Sequence, residues 1–219
     1  MTATHDSRNF FLDGPVGPLE AVLWTPVRAE PAKLAAVICH PHPLFGGTMH
    51  NKVIYNAAKA LDALGVPTLR FNFRGSGKSA GKHDRGIGER EDVRAALNFL
   101  GAEFSEASLL LAGFSFGCWV GLRVGCADPR VTGLIGIGTP VNSSDVSYLR
   151  ECTKPKLFVH GSHDEHGDLH KLRALVESLP GDNQLEVVQG AEHFFVGKLD
   201  LLDHAITSWA KAHYPFLQE

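Results

Sequence analysis

The chain lacks the features that commit a sequence to a membrane, a nucleic acid or an extracellular scaffold. No apolar run approaches the about 18 residues that a membrane span needs, and the start, MTATHDSRNFF, has no basic segment followed by an apolar stretch. The expectation is a cytoplasmic protein with no membrane partner. Lys and Arg are scattered from Arg8 to Lys211 and the formal net charge is −3, so there is no basic patch to track a nucleic-acid backbone. Cys39, Cys118, Cys126 and Cys152 are widely spaced without any CxxC pairing. They read as reduced thiols, three of them in apolar stretches, and not as a disulfide framework. Internal repeats, linkers and low-complexity segments are absent, and so is an HExxH motif.

What is there is a chain of 219 residues, 44% hydrophobic and 21% charged, enough for one sizeable core and one domain spanning residues 1–219. From Ala35 onward, short branched and aliphatic runs alternate with segments of helical period, the pattern of strands separated by crossover helices in a mostly parallel sheet. The expected strands are Ala35 to Cys39, Thr68 to Asn72, Leu109 to Gly113, Gly133 to Gly138, Lys156 to His160 and Leu185 to Val188. Before them, Phe10 to Leu12 and Leu19 to Trp24 flank a DGPVGP turn and read as an antiparallel hairpin at one edge. Helical stripes run through Val53 to Leu64, Val93 to Leu100, Leu172 to Leu179 and Leu201 to Trp209. Residues 138–155 carry no readable period.

The chemistry concentrates at three strand ends. Leu109 to Gly117 reads LLLAGFSFG, a GxSxG pattern between an apolar strand and the helical segment CWVGLRVGC. A serine at such a sharp turn is thrust out at the carboxyl end of the sheet, with Gly113 and Gly117 where side chains would not fit. Gly117, Gly121 and Gly125 share one helix face, which suits close packing against the strands. Serine needs a base to take its proton and a further group to hold that base in the right tautomer. Asp164 follows one strand in HGSHDEHGD and His193 follows the last strand in QGAEHFF. Asp168 and Glu165 compete with Asp164 for the role of acid.

These motifs resemble those of the α/β-hydrolase superfamily, in the chain order Ser, Asp, His. GFSFG is similar to the family's elbow, HGSHDE to its acid motif and GAEHFF to its histidine motif. HPHPLFGGTMHNK and RFNFRGSGKSAG resemble a group of small, lidless hydrolases related to dienelactone hydrolases, which use cysteine where this chain has Ser115, so their substrate is not carried over. The resemblance implies a twisted, mostly parallel sheet of about eight strands behind an N-terminal hairpin, with helices on both faces and no cap domain. It implies a catalytic triad of Ser115, Asp164 and His193 that cleaves a carboxylic ester or thioester without metal or organic cofactor. The sequence is compatible with a homodimer and specifies none.

An oxyanion hole needs a backbone N–H from Phe116 and a second from the loop His40 to Gly47, where Pro41 and Pro43 cannot donate; Leu44 and His42 are the favoured donors. Phe45, Phe114 and Phe194 are candidates to line the substrate wall. Arg74 reads as a structural clamp between loops. Gly77-Lys78-Ser79 resembles the end of a phosphate-binding loop, but Asn72 stands where its first glycine belongs. Two rival readings remain: a metal-dependent hydrolase using His163, His166 and His170 with Asp164 and Asp168, and a non-catalytic binding protein on the same fold.

Overall fold

In a computed structural model, residues 5–27 and 30–218 are described. They form one eight-stranded sheet in the order β1-β2-β4-β3-β5-β6-β7-β8. An antiparallel hairpin, β1 (His5–Gly14) and β2 (Gly17–Pro26), joins β4 (Thr68–Phe71) at one edge through β2. The remaining strands pair in parallel: β3 (Leu34–Cys39), β5 (Ser108–Phe114), β6 (Val131–Ile137), β7 (Lys156–Gly161) and β8 (Asn183–Val188).

Alternation along the strands divides the core into two layers. Ala35, Val37 and Cys39 of β3, with Leu109 and Leu111 of β5, pack with α2 (Gly88–Glu103), α3 (Phe116–Ala127) and α4 (Leu169–Ser178). Leu34, Ala36 and Ile38, with Leu110, Ala112 and Phe114, pack with α1 (Lys52–Asp62) and α5 (Leu199–His213). A period-2 strand buried on both faces is apolar over most of its length, which is why β3 reads as an unbroken apolar run. Lys156, like Thr68, Arg70 and His160, is a buried polar residue of a strand. Its ammonium donates to the carbonyls of Cys152 (2.6 Å), Lys154 (2.7 Å) and Pro180 (3.2 Å), which replace water around the charge.

The chain leaves β3 for β4 on one side and continues to β5 on the other, so the loops after β3 and β5 part company at the carboxyl end of the sheet. Such a switch point opens the crevice in which α/β proteins bind ligands. Between β6 and β7, residues 138–155 contribute turns and one short 3-10 helix (Ser147–Glu151), pinned to α3 by the Tyr148 hydroxyl on the Trp119 carbonyl at 3.0 Å. No lid covers the crevice in the described residues.

Candidate active site

Ser115 occupies the tight connection between β5 and α3 with φ 54° and ψ −115°. A non-glycine residue there stores strain of about 1–3 kcal/mol, and it persists only if its surroundings over-determine it. Two backbone bonds do so: Ser115 N–H to the Ile137 carbonyl (2.9 Å) and Trp119 N–H to the Ser115 carbonyl (3.1 Å). The flanking glycines are sterically required. A Cβ on Gly113 would lie 2.3 Å from the Gly117 carbonyl oxygen, and one on Gly117 would lie 2.3 Å from that of Cys39. Gly125 and Gly121 press on Leu134 and on Leu111 with Cys39, as the every-fourth-residue spacing suggested.

The acid and the histidine meet across two loops. His193 Nδ1 donates to Asp164 Oδ2 at 2.8 Å, both side chains being buried. Asp164 Oδ1 accepts the N–H groups of His166 (2.8 Å) and Gly167 (3.2 Å). Burial alone would raise the Asp164 carboxyl, but the His193 hydrogen bond and charge, with lesser help from His160 and His166, hold it below the usual carboxylate range. Its two competitors do other work. Asp168 caps α4 by accepting the Lys171 N–H at 2.9 Å, and Glu165 is exposed beside His166.

The His193 ring is held from several sides, by Phe114 at 4.7 Å, His166 at 4.5 Å and Phe194 at 5.3 Å between centroids. Gly138 (φ 53°) leaves the slot for it, since a Cβ there would stand 3.0 Å from His193 Cε1. Ser115 and His193 line one cleft of about 550 Å³. Their side chains are not hydrogen-bonded to each other; such catalytic contacts commonly tighten only around bound substrate.

Phe116 is the first residue of α3, so its N–H has no intrahelical acceptor, and the positive end of the helix faces the serine. Of the two expected partners from the loop after β3, His42 lines the cleft with its N–H unused among the described residues, whereas Leu44 does not line it. The Leu44 N–H instead donates to His42 Nδ1 at 3.2 Å. Burial, with His83 alongside, keeps the His42 imidazole below its ordinary range and so neutral enough to accept that bond. Phe45 and Phe194 do line the cleft. Phe114 does not: next to the serine in sequence, it points by strand alternation into the core and is 0% exposed beneath His193.

The loops around the cleft are clamped by buried polar groups. His40, pushed down to about 4 by burial, donates through Nδ1 to the Pro41 carbonyl (2.6 Å) and accepts the Phe73 N–H at Nε2 (3.0 Å). Arg74 forks onto Asp92 through Nε and a terminal nitrogen at 2.7–3.1 Å, the structural role its position suggested. Sequence reasoning missed Trp119, one turn beyond the serine, together with His83, Arg85, Ser143 and Ser144, all cleft residues. Only Trp119, four residues after Ser115, carried a local signal. His166, weighed only as a metal ligand, sits against His193, and among the described residues no three His, Cys, Asp or Glu side chains are grouped to hold a metal.

The profile of the alpha/beta hydrolase domain family matches residues 35–209. A solved alpha-beta serine hydrolase homologue from Coxiella burnetii is 40% identical with a TM-score of 0.86, over 92% of this chain and 96% of that one. XC6422 from Xanthomonas campestris, an a/b serine hydrolase without lid, is 37% identical with a TM-score of 0.87, over 94% of each chain. The uncharacterized protein RP471 of Rickettsia prowazekii is 36% identical over 91% of this chain and 87% of its own length. A matched span from β3 into α5, on a lidless sheet with a strained serine at the switch point, leaves one assignment: the chain belongs to the alpha/beta hydrolase family.

Proposed function

We propose that the protein is a serine hydrolase that cleaves a carboxylic ester or thioester through an acyl-enzyme. The observation that carries this reading is the 2.8 Å bond from His193 to a buried Asp164 beside a strained Ser115 in the same cleft. Asp164 fixes the tautomer with hydrogen on Nδ1, which leaves Nε2 free to take the serine proton as Ser115 attacks the acyl carbon. The N–H groups of Phe116 and His42 receive the developing oxyanion. His193 then returns the proton to the leaving group, and water releases the acyl group by the same steps in reverse. With four free thiols and no helix long and apolar enough to cross a membrane among the described residues, the cytoplasm is the proposed setting.

The test is hydrolysis of short-chain p-nitrophenyl esters by the wild type and by Ser115→Ala, each with and without a chelator. Loss of nearly all activity in a folded variant, with no chelator effect on the wild type, is the expected result. Activity that survives the substitution would overturn the reading.

A further inference from the structure

The cleft wall has an uneven charge. Among the described residues that line it there is no Asp or Glu and no Lys, although the chain as a whole carries a net charge of −3. Arg85 is the single permanent cation. Its guanidinium has no ion-pair or hydrogen-bond partner among the described residues, and it is exposed to the cleft. The acids that flank it in sequence are committed elsewhere. Glu89, fully buried, accepts the N–H groups of Asp84 and Gly86 at 2.8 Å each and contacts His83 Nδ1 at 2.7 Å. Asp84 accepts the Gly88 N–H at 3.0 Å.

The same contacts fix the backbone that carries Arg85. Among the described residues it is one of three non-glycine residues with positive φ (52°), the other two being Ser115 and Phe195. Gly86 behind it (φ 84°) packs so closely that a Cβ would stand 2.4 Å from the Trp119 ring. The His83 ring packs tilted at 5.5 Å between centroids against Phe116, the residue next to the nucleophile. A residue held at positive φ by buried protein contacts at the rim of a cleft motivates a functional reading. Phe116 and Trp119 of the helix that starts at the serine pack against His83 and Gly86 of this loop, and Ser115, Phe116, Trp119 and Arg85 line one cleft.

We infer that the cleft selects esters or thioesters that carry a carboxylate, and that Arg85 is the residue that binds it. This rests on the hydrolase reading above. A planar guanidinium pairs bidentately with a carboxylate. One cation without a lysine or second arginine in the wall matches a single negative charge better than a dianionic phosphate.

The test compares matched substrates. The p-nitrophenyl hemiester of succinate places the carboxylate on the acyl side, against p-nitrophenyl butyrate; 4-acetoxybenzoate places it on the alcohol side, against its methyl ester. For one of the two pairs the wild type favours the anion in kcat/KM, and Arg85→Gln lowers that anionic-to-neutral ratio about tenfold, equivalent to about 1.4 kcal/mol. Arg85→Lys keeps part of the preference, and added salt weakens it. A ratio unchanged by Arg85→Gln in both pairs overturns the inference. Benzoate binding against benzamide, followed by the fluorescence of the cleft tryptophan Trp119, asks the same question without turnover. Preferential benzoate binding that is lost in Arg85→Gln supports the anion site even if no ester is cleaved, whereas equal binding of the two compounds in the wild type overturns it. Absence of ester cleavage on its own refutes the hydrolase reading and not this one.

Discussion

Replacing Asp164 with asparagine changes one atom, and the structure dictates what that atom does. Oδ1 accepts two backbone N–H groups, from His166 and Gly167, while Oδ2 accepts only the imidazole. The amide of Asp164→Asn therefore has two orientations. If its oxygen stays with the two backbone donors, its NH2 faces His193 Nδ1 and forces the proton to Nε2, where it blocks acceptance from serine. If the amide flips, two N–H donors lose their acceptor at about 1–3 kcal/mol each. Because the His166 N–H is partly solvated, the lower end applies, and the flipped form is disfavoured by at least about 2 kcal/mol, a factor of about 30. Population alone then removes about 97% of the competent tautomer. Loss of the carboxylate that stabilises the imidazolium deepens the effect, toward the about 10⁴-fold loss in kcat seen when triads hold the wrong tautomer. The assay is steady-state hydrolysis of p-nitrophenyl butyrate, with circular dichroism to verify folding. A folded variant within tenfold of wild-type kcat would refute the argument. The stability effect has a definite sign. A carboxyl with a depressed folded pKa adds stability above its unfolded pKa of about 3.9 and loses it as pH falls through the folded value. The variant should accordingly unfold with less acid dependence than the wild type below about pH 4.

Asp92→Asn strands the buried Arg74 guanidinium, whose charged form the Asp92 hydrogen bonds favour. A loss of about 3–5 kcal/mol, or about 6–20 °C in Tm, is expected by calorimetry, and the double variant Arg74→Met/Asp92→Leu should recover much of it. Asp203, half-buried with its Oδ1 unpartnered, is pushed up to about 6 by burial. A raised carboxyl favours folding below the unfolded pKa and loses that contribution as pH rises through the folded value. Asp203→Asn should therefore raise Tm by a few degrees at pH 8, about 1 kcal/mol after allowance for solvent screening, and little at pH 4. A Tm difference that does not depend on pH would contradict that sign.

The strands of the parallel sheet and the elbow were legible because local rules bind them: a strand buried on both faces is apolar over most of its length, and a strand-to-helix turn this tight requires glycine two residues either side of the serine. The hairpin extends well beyond the expected Phe10 to Leu12 and Leu19 to Trp24, because β1 is an edge strand whose only buried residue is Leu12. Polar residues such as Asp6, Ser7 and Arg8 hid it. Phe114 was misplaced because adjacency to the nucleophile outweighed the alternation that turns it into the core. Leu44 was misplaced because its use by His42 depends on how the 3-10 turn at Pro43–Phe45 folds back. Arg85 and His83 gave no local signal at all; they reach the cleft through the buried Glu89, a contact between a loop and a helix.

The open crevice has a kinetic consequence. With no lid among the described residues, the proposed mechanism has no lid closure to wait for, so the expectation is that the chemical steps set the pace. In the mechanism proposed above, such a site does not exclude water once an acyl group is attached to Ser115. The attached group is always exposed to the most abundant nucleophile in the cell, and competing alcohols or amines have no sheltered moment in which to capture it. Leaving out a lid therefore biases the catalyst toward hydrolysis and away from acyl transfer.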